Sequence, residues 1–248
     1  MHESSGPRSF TRSAVVLSGG AVDAAEVVWP VGFDVASGSA NLLVIAADSG
    51  AGAAAANLLV IAADSGAGAA AALGLDIDVL VGDFDSIPGS LLAQVEATAA
   101  TIERHDCDKD ATDLELAIAA AVERGAVRVC VVDSTAGRLD HFLATMLLVA
   151  SPRWIDVEIT AVVDGAHVRV VHPGRRRNIE TDPGRTVSLL SIGGASGVTT
   201  HGLQWALADA HLPPGTTWGV SNVVSHADAW VEITGGALLA VVPTEEAR

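Results

Sequence analysis

Short apolar runs alternate with helix-like segments up to residue 163, and no other pattern in the sequence limits its fold as strongly. Apolar runs of about four to eight residues are typical of buried strands, and strands alternating with helices favour a parallel sheet covered by helices. We therefore predict an α/β domain with a mostly parallel sheet over residues 1–164. The predicted strands are 14–17, 58–62, 79–82, 101–104, 127–132 and 154–163. One predicted helix starts after the turn at 64–66, two cover 88–99 and 139–150, and one runs from the N-cap Thr112 to Arg124.

The pattern changes near residues 164 and 165. Beyond them the chain has short runs of alternating hydrophobicity, separated by turns that contain glycine or proline, such as Pro173-Gly174 and Gly193-Gly194. Several short strands spaced in this way indicate an all-β sandwich. We predict this second domain over residues 165–248, with strands at 167–171, 186–192, 218–220, 229–234 and 238–242.

The charge balance excludes some classes of partner. The formal net charge is −16 and the sequence pI is about 4.6. General nucleic-acid binding and binding to acidic membranes both need a basic surface, so neither partner is expected. Nucleotides stay open as ligands, because backbone amides, metal ions and a few cations can hold them locally.

The cysteines and the first apolar stretch indicate the cellular compartment in which the protein is expected. The two cysteines, Cys107 and Cys130, do not have the spacing of a zinc site, and a reducing compartment is the simplest interpretation. The apolar stretch at 14–17 is too short for the core of a signal peptide or for a membrane span. We therefore expect a cytoplasmic protein.

One segment of the chain occurs twice without change. Residues 41–56 and residues 57–72 are identical, which indicates a recent tandem duplication or a sequence error rather than a repeat fold. Each copy reads as a strand, a polar turn and the start of an alanine-rich helix. Because the second copy runs directly into the strand at 79, we expect its Asp64 at the functional site and its counterpart Asp48 away from it.

Two carboxylates follow the strand at 79–82. The sequence Gly82-Asp83-Phe84-Asp85-Ser86 spaces Asp83 and Asp85 two residues apart, so that in extended backbone both side chains point the same way. Carboxylate oxygens at the end of a buried strand suit Mg²⁺, which takes few protein carboxylates together with substrate phosphates. The alternative is a surface turn followed by a helix cap at Ser86.

Further charged residues follow the strand at 101–104. Residues 105–116 contain several aspartates and Lys109, and Thr112 is a plausible N-cap with Asp113 and Glu115 in the first helical turn. Helix capping explains Glu115 well. A solvated acidic loop is the alternative interpretation of the rest of the cluster.

The strand at 127–132 is followed by a glycine turn and then by a helix. This turn carries Arg138, Asp140 and His141. The alternatives are an ion pair of Arg138 with Asp133 and a histidine on the helix face with no function.

Two of the five tryptophans stand out in a chain that has no tyrosine. Trp205 lies in Gly202-Leu203-Gln204-Trp205-Ala206-Leu207 and Trp218 lies in Trp218-Gly219-Val220-Ser221-Asn222. They either fill the core of the sandwich or contribute to a binding site, and in the first case Ser221-Asn222 is an ordinary turn.

Five of these segments, in this order, resemble thiamine pyrophosphokinases. The segments are A-A-D-S-G-A at 62–67, V-G-D-F-D-S-I at 81–87, D-K-D-A-T-D-L-E-L-A at 108–117, A-G-R-L-D-H at 136–141, and H-G-L-Q-W-A-L with G-V-S-N at 201–207 and 219–222. Each segment alone is weak evidence for the family, but the five occur in the family's order and span most of the chain. The family's two domains agree with the predicted order of an α/β part and a β part.

The resemblance implies a reaction, a metal ion and an oligomeric state. It implies transfer of the pyrophosphoryl group of ATP to the hydroxyl of thiamine, giving thiamine diphosphate and AMP, with Mg²⁺. It also implies a homodimer whose sites lie between the α/β domain of one subunit and the β domain of the other.

Asp83, Asp85 and Asp113 resemble the family's carboxylates that bind the metal ion and the phosphates, with Asp64 close by. Asp113 or Asp64 is the candidate that accepts the proton of the attacking hydroxyl.

The resemblance also implies positions that contact substrates. They are Lys109, Asp110 and Thr112 for substrate contacts, Arg138, Asp140 and His141 for the nucleotide-side loop, and Ser221 and Asn222 with Trp205 or Trp218 for the thiamine pocket.

The chain departs from the family pattern at a few positions. Ser65 and Ala136 stand where the family usually has glycine, and the duplicated segment is not a family feature. One alternative function is a thiamine- or nucleotide-binding protein that lost activity through the duplication. Another is a pyrophosphokinase for a different hydroxylated acceptor such as a pterin, which the presence of both G-L-Q-W and G-V-S-N argues against.

Overall fold

The computed structural model describes residues 12–18, 22–25, 27–30, 33 and 58–244. Its N-terminal part is a parallel sheet with the strand order β4-β3-β2-β1-β5-β6. The predicted α/β architecture with parallel strands is confirmed. The strands are β1 (Arg12–Leu17), β2 (Leu58–Ala63), β3 (Val79–Gly82), β4 (Thr101–Arg104), β5 (Ala126–Asp133) and β6 (Glu158–Val163).

Helices cover both faces of this sheet. Side chains of β1 and β2 alternate between one apolar cluster on the first face of the sheet and two clusters on the other, as expected for strands buried on both sides. Helix α3 packs on one face, and α1 and α2 pack on the other. The helices are α1 (Gly66–Leu73), α2 (Gly89–Glu96), α3 (Asp113–Glu123) and α4 (Leu139–Val149).

The C-terminal strands are antiparallel and continue the same sheet. After the turn at Asp164 and Gly165, β7 pairs with β6, and β13 then joins β7 to β9. The predicted change to a strand-rich region is confirmed, while the sandwich packing and the boundary at 164/165 stay predictions. The strands are β7 (Ala166–Val171), β8 (Arg177–Asn178), β9 (Thr186–His201), β10 (Ala210–Leu212), β11 (Asn222–Val223), β12 (Trp230–Glu232) and β13 (Gly235–Val242).

The structure corrects the strands predicted at 154–163, 186–192 and 218–220. Trp154 belongs to a short 3₁₀ turn before β6, where its indole donates a hydrogen bond to the carbonyl of Leu148 (3.0 Å). Residues 218–220 form a turn. The glycines at 193 and 194 were expected to separate strands, but β9 runs through them with positive φ angles of 73° and 106°. Glycine adopts such angles readily, so the strand bends there without ending.

No helix in the described part of the chain is long and apolar enough to cross a membrane. The first repeat copy at 41–56, with Asp48, lies outside the described residues.

Candidate active site

The carboxyl ends of β2, β3 and β4 lie side by side at one edge of the sheet. Parallel pairing fixes this arrangement, because Ala63 pairs with Val81, and Gly82 pairs with Arg104. The backbone N–H of Asp64 extends it by donating to the carbonyl of Val81 (2.8 Å). The loops after all three strands therefore meet at this edge, as the sequence predicted.

Gly82 permits the close approach of these loops. A Cβ added to Gly82 would lie 3.1 Å from Cβ of Asp64 and 3.3 Å from Oδ1 of Asp113, and its φ of +151° is one that side chains rarely adopt. The residues around it are also held in unusual backbone, since Asp64 has a φ of 44° and Phe84 has a φ of 67°. Positive φ angles in residues other than glycine often mark functional sites.

Asp64, Asp83 and Asp85 form a cluster with the chemistry of a cation site. Each offers a carboxylate oxygen, and these oxygens lie within 4.8 Å of one another. Asp64 is buried, Asp83 is half-buried and Asp85 is exposed, so the cluster opens to solvent on one side. Oδ1 of Asp64 is buried and has no hydrogen-bond partner among the described residues. An unsatisfied buried carboxylate oxygen fits a bound cation, because leaving it unpaired is costly.

Lys109 connects this cluster to helix α3. Its ammonium donates to Oδ2 of Asp83 at 3.0 Å and forms an ion pair with Oδ1 of Asp113 at 3.2 Å. The hydrogen bond from Lys109 lowers the pKa of Asp83 below its usual value. Partial burial alone would lower the pKa of Lys109, but its bonds to Asp83 and Asp113 outweigh burial and raise it. Asp83 and Lys109 are therefore both charged at neutral pH.

The start of α3 places Asp113 at this edge. The hydroxyl of Thr112 accepts a hydrogen bond from the backbone N–H of Glu115 (3.2 Å), which confirms the predicted N-cap. Asp113 is the first residue of the helix, where its charge is favourable near the positive end of the helix dipole. Asp110, predicted to contact substrate, is exposed just before this cap.

Asp64→Asn is expected to stabilise the protein at neutral pH in the presence of a metal chelator. Burial, with the nearby charges of Asp113 and Asp83, raises the pKa of Asp64 above its ordinary 3.8. A raised folded pKa contributes stability below the unfolded value, and this stability is lost as the pH rises through the folded pKa. Asparagine carries no charge, so we expect a gain of about 1 kcal/mol near pH 7 and almost none near pH 3.

Urea unfolding of both proteins across this pH range measures the difference in free energy of unfolding. A variant less stable than the parent at neutral pH would show that the Asp64 charge is well compensated in the metal-free protein.

Arg104 is a contact of the site that sequence reasoning missed. Its guanidinium donates to the carbonyl of Asp83 (3.3 Å) and lies 4.5 Å from the centre of the Phe84 ring. It therefore braces the turn that carries Asp83 and Asp85. The available signal was its position at the end of β4, next to the end of β3 in the predicted sheet.

The loop after β5 carries the predicted nucleotide-side residues. Arg138 and Asp140 are exposed and pair with each other (2.6 Å), and His141 is also exposed. This pairing replaces the predicted alternative of Arg138 with Asp133. The hydrogen bond from Arg138 lowers the pKa of Asp140 to about 2.

Asp164 ties the same loop to the end of β6. Its carboxylate accepts hydrogen bonds from the backbone N–H of Thr135 (2.9 Å) and from its hydroxyl. Beside it, Asp133 is buried, and burial raises the pKa of its carboxyl. The loop is thus anchored at its first residues and exposed at Arg138.

Trp205 and Trp218 lie on the surface, with 57% and 76% of their area exposed. The alternative that they fill the core is therefore wrong. Ser221 is exposed, with a φ of 58°, and its backbone N–H donates to the hydroxyl of Ser188 (3.1 Å).

Asn222 is buried and hydrogen-bonded to the backbone around Trp205. Its Oδ1 accepts from the N–H groups of Trp205 (3.1 Å) and Val223 (2.8 Å), and its Nδ2 donates to the carbonyl of Trp205 (2.8 Å). The side chain thus fixes the turn that presents the Trp205 ring to solvent.

Comparison with known proteins identifies the family. Residues 39–163 match the model of the thiamin pyrophosphokinase catalytic domain, and residues 176–238 match that of the thiamin pyrophosphokinase vitamin B1 binding domain. The chain belongs to the thiamin pyrophosphokinase family. This is a family of enzymes, and the resemblance seen in the sequence is confirmed.

Similar proteins come from bacteria and a yeast. The thiamine pyrophosphokinase of Bacillus subtilis (strain 168) is 28% identical over 166 residues, which are 66% of this chain and 77% of that protein. A crystal structure of the B. subtilis protein has a TM-score of 0.72 at 23% identity and covers 95% of this chain and 100% of its own. The Candida albicans thiamin pyrophosphokinase has a TM-score of 0.66 at 13% identity, covering 96% of this chain and 95% of its own. These structures share the fold described above.

Proposed function

We propose that this protein transfers the pyrophosphoryl group of ATP to the hydroxyl of thiamine, in a reaction that requires Mg²⁺ and gives AMP and thiamine diphosphate. The observation that carries this proposal is the cluster of Asp64, Asp83 and Asp85 beside Lys109 and Asp113, at the strand ends of a thiamin pyrophosphokinase fold. Carboxylate oxygens are the protein ligands that Mg²⁺ prefers.

The acidic residues divide between two tasks. Asp83 and Asp85, with Asp64 or Asp113, would hold Mg²⁺, which neutralises phosphate charge and orients the transferred group when bound. Asp64 and Asp113 are the candidates that accept the proton of the thiamine hydroxyl. Asp64 suits this task because burial raises its pKa, which makes the carboxylate a better base.

The cationic residues suit the anionic substrate. Lys109 lies within reach of the cluster, and the exposed Arg138 lies on the loop after β5. Either can stabilise charge that develops on the transferred phosphates. Asp140 and His141 lie beside Arg138 on the nucleotide side, and Asp110 and Thr112 precede α3 on the substrate side.

The exposed tryptophans suit the cationic substrate. A thiazolium ring is attracted to the face of an indole, and both Trp205 and Trp218 present exposed rings. In this proposal Ser221 contacts thiamine directly, while Asn222 acts by holding the Trp205 turn. We further propose a homodimer whose β region completes the partner's site, and the cytoplasm as its compartment.

The assay for this proposal uses ATP, Mg²⁺ and thiamine, with AMP formation as the readout. We expect AMP to form only when all three are present, and a chelator to stop the reaction. A protein that binds thiamine without forming AMP would instead be the inactive binding homologue. AMP formation with a pterin and not with thiamine would identify the other acceptor.

Deletion of residues 41–56 is expected to leave AMP formation intact. The second copy supplies β2 and Asp64, and it continues through α1 into β3 without the first copy. The deletion variant and the full chain are compared in the same assay, with folding checked by circular dichroism. Loss of activity in the deletion variant alone would show that the first copy is part of the working site.

A further inference from the structure

Lys109 occupies the position of a cation between two carboxylates of the proposed metal site. It is the single lysine of the 248-residue sequence, and only 16% of its side chain is exposed. Its ammonium lies 3.0 Å from Oδ2 of Asp83 and 3.2 Å from Oδ1 of Asp113. An ammonium between two carboxylates neutralises part of their charge, as a bound metal ion would.

Both oxygens of Asp83 already have partners. Oδ1 accepts a hydrogen bond from the backbone N–H of Asp85 (3.2 Å), and Oδ2 accepts one from Lys109. The neighbouring Oδ1 of Asp64 has no hydrogen-bond partner among the described residues. A divalent ion bound by Asp64, Asp83 and Asp85 would therefore lie beside the ammonium and be repelled by it.

We infer that Lys109 is a placeholder cation, which holds Asp83 and Asp113 in the free protein and leaves Asp83 when a metal ion binds. This inference rests on the proposed Mg²⁺ and ATP chemistry. A lysine can make this exchange because its flexible stem moves one compact charge, and the phosphates of the nucleotide offer the released ammonium a new partner.

The exchange couples metal binding to nucleotide binding. Without nucleotide, the metal ion competes with Lys109 and binds weakly. With nucleotide, the phosphates attract the released ammonium and also bind the metal ion, so each ligand strengthens the binding of the other. The protein then responds to the metal–nucleotide complex rather than to free Mg²⁺.

The first test measures Mg²⁺ binding without nucleotide by titration calorimetry. Lys109→Met removes the charge and keeps most of the length, and we expect it to bind Mg²⁺ about tenfold more tightly than the parent. Lys109→Arg keeps the charge and is the matched control, with an affinity close to that of the parent. A non-hydrolysable ATP analogue should strengthen Mg²⁺ binding more in the parent than in Lys109→Met.

The second test uses the unaltered protein and so does not depend on a variant that folds. An amine-reactive reagent modifies only Lys109 and the N-terminal amine, which serves as the internal reference. We expect saturating Mg²⁺ to speed the labelling of Lys109, measured by peptide mass spectrometry, because the released ammonium is more exposed.

Different results would overturn the placeholder role of Lys109 and the proposed metal site. Equal Mg²⁺ affinity of the parent and Lys109→Met, or Lys109 labelling that Mg²⁺ leaves unchanged, would overturn the placeholder and leave the proposed function standing. The absence of Mg²⁺ binding in every protein, even with the nucleotide analogue, would overturn the metal site itself.

Discussion

Asp83→Asn is expected to lower turnover about a hundredfold while the protein stays folded. Asp83 is the centre of the candidate site, because its carboxylate contacts Lys109 and contributes to the oxygen cluster with Asp64 and Asp85. Asparagine can still accept the hydrogen bond from the N–H of Asp85, so the turn is retained. Its neutral side chain is a poorer ligand for Mg²⁺ and no longer neutralises Lys109.

Steady-state kinetics at several Mg²⁺ concentrations measure this effect, and Asp85→Asn should lose most activity as well. Asp76→Asn is the matched control, since this exposed aspartate precedes β3 at the opposite edge of the sheet. Near-normal turnover in both Asp83→Asn and Asp85→Asn would remove the assignment of these residues to the metal.

Gly66→Ala is expected to destabilise the protein by about 3 kcal/mol. Gly66 begins α1 against the end of β1, where an added Cβ would lie 2.1 Å from the carbonyl oxygen of Leu17 and 2.8 Å from its carbonyl carbon. Backbone atoms cannot rotate away as a flexible side chain can. The helix would have to move, and Asp64, two residues earlier, would move with it.

Gly68→Ala in the same helix is the control, because nothing lies within 4 Å of its added Cβ. Alanine is the better helix former, so we expect this variant to gain about 0.5–1 kcal/mol. Urea unfolding compares the three proteins, and AMP formation should fall only in Gly66→Ala. Equal stability of the two variants would contradict the close packing of α1 on β1.

The sequence predicts the positions of the candidate site residues well where one local rule decides the structure. The alternation of strands and helices predicted β4 at its observed bounds and placed Asp64, Asp83 and the α3 cap at one edge. The rule works because the carboxyl ends of parallel strands meet. The duplicated segment added an ambiguity between Asp48 and Asp64. The continuation of the second copy into β3 favoured Asp64, which lies beside Asp83 and Asp85 in the structure.

Contacts between residues that are distant in the sequence could not be predicted from local sequence patterns. The sequence shows Lys109 and Asp83 as charged residues but not the bond between them. The sequence suggests a turn at Asn222, but its burial depends on the pairing of β11 with β9 and on its hydrogen bond to the carbonyl of Trp205. The exposure of Trp218 follows from the turn that replaces its predicted strand, because surface turns do not bury both sides of a ring.

The most direct test of the account is the identity of the phosphorylated products. Phosphorus-31 NMR follows the reaction of this protein with ATP, Mg²⁺ and thiamine, and it distinguishes transfer of one phosphoryl group from transfer of a pyrophosphoryl group. We expect AMP and thiamine diphosphate in equal amounts. Formation of ADP with thiamine monophosphate, or consumption of ATP that does not depend on thiamine, would contradict the proposed function.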